Sequence, residues 1–148
     1  MPEQDTTRSD LPAIRAVIDA IIKAVRTNDV EGFLRQCAPD IVAFDLLPPL
    51  EQKGWDAVRR GWGIALGSFE GPIEYDVDHL DIAISGDIAW SRSIVHFGGT
   101  TKEGTQAMNR LRSTLGFRKI GGQWKVVHQH VSVPFDMANG KALLNLEA

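Results

Sequence analysis

A chain of 148 residues, 43% hydrophobic and 24% charged, has the composition of one globular domain that buries a core without disulfides. Its 16 basic and 19 acidic side chains leave a net charge of -3 and form no basic stripe, which argues against a nucleic-acid partner. No apolar run reaches the length of a membrane span, the opening MPEQDTTRSD is polar rather than signal-like, and the single Cys37 has no partner for an internal disulfide, so a cytoplasmic protein with no membrane partner is expected.

Residues 1–9 read as a disordered arm, after which Ser9 or Asp10 caps a helix that Pro12 helps to start. Ile14, Val17, Ile18, Ile21, Ile22 and Val25 recur at helical spacing and make a broad apolar stripe. Thr27-Asn28-Asp29 ends that helix and caps a second, shorter one carrying Val30, Phe33 and Leu34, which Pro39 closes. Cys37, just ahead of that proline, reads as a small buried apolar residue rather than a nucleophile.

Asp40 to Asp45 forms a short strand running into Leu46-Leu47-Pro48-Pro49, where two prolines forbid regular pairing, and Gln52-Lys53-Gly54 returns as another. A third helix runs from about Asp56 to Phe69, with Trp55, Val58, Trp62, Ala65, Leu66 and Phe69 on one side. Gly61, Gly63 and Gly67 cost it about 1 kcal/mol each relative to alanine, so packing must hold it. Ile73 to Ile84 and Ile88 to Thr100 read as strands joined by Ser85-Gly86-Asp87.

Leu111 to Phe135 then reads as a hairpin turned by Gly121-Gly122, a pair suited to the two positive φ angles of a type I′ turn. If that turn alone fixes the register, facing residue numbers sum to 243. One face carries Leu111, Ser113, Leu115 and Phe117 opposite Ser132, His130, His128 and Val126, with Trp124 near the turn. The other carries Arg110, Arg112, Thr114 and Arg118 opposite Val133, Val131, Gln129 and Lys125. The first face is apolar near the turn and becomes histidine and hydroxyl further along, as a core leading into a polar-tipped pocket would. The order α-α-β-β-α-β-β-β-β is an α+β layout with helices on one sheet face, spanning residues 10–136, and residues 137–148 form a tail with too few features to place.

Three segments, AVRTNDVEGF (residues 24–33), APDIVAFD (38–45) and GQWKVVHQHVS (122–132), resemble the NTF2-like superfamily, in its SnoaL-like and ketosteroid-isomerase-like branch. The closing strand is also similar to the association domain of calcium/calmodulin-dependent protein kinase. The resemblance implies a cone, with a curved antiparallel sheet wrapped around the N-terminal helices, and commonly a homodimer through the outer sheet face. It is specific for fold and not for function, since the fold hosts isomerases, dehydratases, epoxide hydrolases, cyclases and non-catalytic adaptors. It also implies that Asp45 stands where ketosteroid isomerases keep their general base. Their tyrosine donor on the first helix has Ile21 in its place, and their protonated aspartate on the penultimate strand has Leu115 or Thr114. Specific steroid isomerase activity is therefore not expected.

Asp45, between Ile41-Val42-Ala43-Phe44 and Leu46-Leu47, is either a desolvated general base at a pocket mouth or a turn aspartate bonded to backbone amides. His128 and His130 project from one strand face about 6–7 Å apart; they either complete an acid/base set with Asp45 or are satisfied by buried hydroxyls such as Ser113 and Ser132. No third ligand stands at recognisable spacing, so neither metal nor other cofactor is expected. Phe44, Trp55, Trp62, Trp90, His96, Ser113, Leu115, Phe117 and Ser132 are the candidate lining, with Trp62 the aromatic wall for an apolar ligand. The arginine-bearing face, mixed with valines, reads as a subunit interface. Two functions stand: acid/base chemistry of isomerase, cyclase or dehydratase type on a small or polycyclic apolar carbonyl compound, or a non-catalytic module that binds a small molecule or directs assembly.

Overall fold

The computed structural model describes residues 3–148. Three helices, α1 (Glu3–Arg26), α2 (Val30–Arg35) and α3 (Gly54–Gly67), lie against one six-stranded sheet. Its strands are β1 (Cys37–Phe44), β2 (Gln52–Lys53), β3 (Phe69–Ser85), β4 (Ile88–Thr101), β5 (Gln106–Ile120) and β6 (Gln123–Ser132), in the order β2-β1-β6-β5-β4-β3. The element order is the one read from the sequence, and the sheet is the curved one expected. Pairing is antiparallel except between β1 and β6, which run parallel.

The apolar stripe of α1 is buried along its length, with Ile14, Val17, Ile18, Ile21 and Val25 set into the concave side of the sheet. The helix begins at Glu3 rather than at Ser9 or Asp10; of the nine residues read as an arm, Met1 and Pro2 lie outside the described residues. Asp10 is therefore no cap. It is buried, and its Oδ1 accepts hydrogen bonds from Trp124 Nε1 and Lys119 Nζ, both at 3.1 Å, which tie α1 to the far hairpin. Asn28 in the left-handed region ends α1, and Asp29 caps α2 by accepting from the Gly32 amide at 2.9 Å.

Helix α2 stops at Arg35, short of Pro39, because the chain is already in β1 at Cys37. Pro39 falls in the irregular stretch of the β1–β6 ladder between Cys37 and Val42, where a missing N–H breaks no pair. Cys37 is buried, and burial pushes its thiol up to about 12, so it is the inert small residue expected. Of Gly61, Gly63 and Gly67 in α3, only Gly61 serves a close approach: a Cβ there would lie 2.5 Å from the buried Gln52 side chain. Gly121 and Gly122 take φ of 56° and 78°, so the expected turn forms.

Candidate functional site

The site is built by a fault in the regularity of β6. Near the turn the hairpin pairs as expected, Phe117 with Val126 and Arg118 with Lys125. Beyond it, Gly116 pairs with His128, Leu115 with Gln129 and Ser113 with Val131, because Val127 is an extra residue that forms a β-bulge. A shift of one residue reverses every later side chain on that strand. Gln129, only 3% exposed, and Val131 thus join Ser113 and Leu115 on the concave face, while His128 and His130 turn to the convex one.

On the concave side a cavity of about 200 Å³ opens between α3 and the sheet. Aromatic rings of Trp62, Phe69, Tyr75 and Phe97 form much of its wall, and Leu46 and Leu47 from the β1–β2 loop stand at its rim. Asp45, just past the end of β1, borders it, and Asn109, Ser113 and Gln129 supply polar groups on the β5–β6 side. Burial raises the Asp45 carboxyl above its usual range, opposed by a hydrogen bond from the Leu46 amide to Oδ1 at 2.7 Å. Among the described residues Asp45 has no cationic partner. Burial also raises the Tyr75 phenol, and the Asp45 charge adds to the rise, so Tyr75 keeps its proton and remains a donor. The indole Nε1 of Trp62 is buried without a partner.

The expected constellation is therefore only partly assembled. Asp45, Trp62 and Ser113 line one cavity. Leu115 and Phe117 are core residues beneath it. His128 points away, its Nδ1 donating to the Val42 carbonyl at 2.7 Å, so its partner is backbone and not a buried hydroxyl. His130 meets Asp45 only across an open hollow on the other side of β1, which Phe44 and Ser132 also border. Phe44 packs edge-on against both histidine rings, at 4.8 and 5.5 Å, and Ser132 accepts from Arg112 Nε. Trp55 donates from Nε1 to the Cys37 carbonyl at 3.2 Å, and Trp90 and His96 sit on the convex face of β4.

Two lining residues had signals in the sequence that the reading above did not use. Tyr75 belongs to a strict alternation, Ile73, Tyr75 and Val77 inward against Glu74, Asp76 and Asp78 outward. Gln129 is revealed by the adjacent valines 126 and 127, two apolar neighbours that a regular strand cannot both bury. No group of three or more His, Cys, Asp or Glu side chains converges as metal ligands among the described residues, and no helix is long and apolar enough to cross a membrane.

The model of the SnoaL-like domain family matches residues 14–136. Among solved structures the chain is similar to an NTF2-like protein of unknown function from Pseudomonas putida KT2440, with 34% identity over 95% of this chain and 98% of that one and a TM-score of 0.86. It is also similar to an NTF2-like superfamily protein from Salmonella enterica (19% identity, 93% of this chain, 99% of that one, TM-score 0.78). A ketosteroid isomerase-like protein from Erwinia carotovora shares 20% identity over 83% of this chain and 95% of that one, with a TM-score of 0.72. At these last identities the likeness is one of fold. No curated protein matches the chain.

Proposed function

The chain belongs to the SnoaL-like domain family, and from that membership and its cavity we propose that it performs acid/base chemistry on a small apolar carbonyl compound, with Asp45 as the base. One observation carries this reading: Asp45 faces an apolar cavity, desolvated and without a cationic partner, where burial raises its affinity for a proton. In the proposed reaction the carboxylate takes a proton from the carbon beside a carbonyl. Negative charge passes to the carbonyl oxygen as an enolate, and the protonated Asp45 returns the proton at the same or a conjugated carbon. This leaves the electron count unchanged, as isomerase chemistry requires. The convex sheet face, bearing Phe44, Trp90, Arg112 and the two histidines, is assigned to contact with a second copy of the chain.

The hydrogen bond from the Leu46 amide to Asp45 Oδ1 favours a second reading, a ligand-binding module in which the carboxylate is held by backbone and does no chemistry. Denaturing the purified protein and identifying released compounds by mass spectrometry supplies the substrate to test. Turnover of that compound, lost on the order of 100-fold in Asp45→Asn, is the expected result. Tight binding without turnover would leave the module reading in its place.

A further inference from the structure

We propose that Ser113 and Gln129 are the seat for the ligand's oxygen, and that the ligand is an uncharged one- or two-ring ketone; the assignment rests on the acid/base reading of the same cavity. Gln129 is 3% exposed and, with Ser113, borders the cavity from the β5–β6 side. Neither side chain is among those with a sealed, unpartnered polar atom among the described residues, so hydroxyl and amide are open to a ligand that enters the cavity and can bond them. The two lie on neighbouring strands of one face: Leu115 pairs with Gln129 and Ser113 with Val131, so hydroxyl and amide are diagonal neighbours able to aim at one acceptor.

Asp45 completes the geometry. Ala43 pairs with Gln129 on the parallel strand, and Asp45 stands two residues further on the same face. That offset is about 6–7 Å. A carbonyl oxygen seated at Ser113 and Gln129 therefore leaves its neighbouring carbons lying toward the carboxylate. The remaining walls, Trp62, Phe69 and Phe97, offer faces and edges to a flat ring. Size narrows the class. At about 200 Å³ the cavity exceeds the roughly 150 Å³ hollow that holds benzene but falls short of the roughly 300–1,000 Å³ of drug-sized pockets.

Binding of two matched probes tests the seat directly: α-tetralone, a two-ring ketone, and tetralin, the same skeleton without the oxygen. Affinities are read by equilibrium dialysis on wild type, Gln129→Leu, Ser113→Ala, Tyr75→Phe and Asp45→Asn. Gln129→Leu is expected to weaken α-tetralone roughly tenfold, or about 1.4 kcal/mol, and to leave tetralin unchanged or tighter. Ser113→Ala should act in the same direction and keeps the test alive if Gln129→Leu does not fold. Asp45→Asn and Tyr75→Phe should retain the preference for the ketone. The seat is overturned if neither probe binds, if both respond alike in the Gln129 and Ser113 variants, or if only Tyr75→Phe removes the preference. A ketone preference without turnover of any ketone would instead defeat the acid/base reading and leave the seat standing.

Discussion

Two carboxylates in this chain, the buried Asp10 and the half-buried Asp45, are tuned in opposite directions, and the difference is their partners. Asp45 has burial against it and one backbone amide for it; Asp10 has an indole N–H and a lysine. The native carboxyl of Asp45 is raised above its unfolded value of about 3.9. Its contribution to stability is then fully present below that value and is lost as pH rises through the native one. Asp45→Asn removes the charge and keeps an oxygen for the Leu46 amide, so at pH 7 it should be as stable as wild type or more so in urea melts. A loss above about 1 kcal/mol, the size of a missing capping bond, would mark Asp45 as a structural turn residue. For Asp10 the hydrogen bond from Trp124, aided by Lys119, lowers the carboxyl against the opposing effect of burial. That stability is present above the unfolded value and lost as pH falls through the native one. Asp10→Asn should therefore cost about 1–3 kcal/mol at pH 7, and the gap to wild type should narrow as melts are taken progressively below the unfolded value of about 3.9.

Most of the elements were legible because their side chains repeat at the period of the backbone. The stripe of α1, the short second strand, the Gly-Gly turn and the inert Cys37 all follow from local pattern. What was not legible in full was the distal half of β6, since one extra residue carries no propensity of its own and changes nothing except which way its successors point. The turn-based register brought His128 and His130 inward and sent Gln129 and Val131 out; the bulge at Val127 does the reverse. The bulge moves the two histidines out of the cavity, which Asp45, Ser113 and Trp62 line. Phe44, Trp55, Trp90 and His96 lie away from it for reasons of their own strands and helix. Single cysteines distinguish the two registers. Cys37 is buried with its thiol pushed up to about 12, so it gives a silent background. At dilution below the concentration at which subunits associate, His130→Cys should react with a maleimide in the folded protein at close to the rate of a free thiol, and Gln129→Cys should be protected about tenfold. Equal rates, or the reverse order, would restore the unbulged hairpin.

At the scale of the whole molecule, the bulge also decides what the convex face has to offer. Along one row across the sheet stand Trp90, Gly116 and His128, with Phe44 beside the histidines on β1 and Arg92 and Arg112 near by. Trp90 is 43% exposed, and its ring lies under the Arg92 guanidinium, 6.0 Å from ring centre to Cζ. Gly116 presents no side chain to that row, and a Cβ there would lie 3.4 Å from His128 Cβ. Exposed tryptophan, phenylalanine and arginine on one sheet face are the residue types that anchor protein contacts, with the aromatic rings carrying most of the energy. Val131, which a regular hairpin would have placed at the centre of this face, lines the cavity instead. Val131→Glu is thus a probe of the pocket and not of assembly. Trp90→Arg is the variant that belongs here: it deletes the ring and sets a second cation beside Arg92, and a two-fold contact doubles the effect by presenting it from both subunits. Wild type should be a dimer at micromolar concentration by light scattering, and the variant should need on the order of 100-fold higher concentration to associate, about 2.7 kcal/mol. Its melting in urea, compared at dilution where both proteins are monomeric, should change little, because the ring is not part of the core. A monomeric wild type, or a variant that dimerises as well as wild type, would remove the convex face from the assembly.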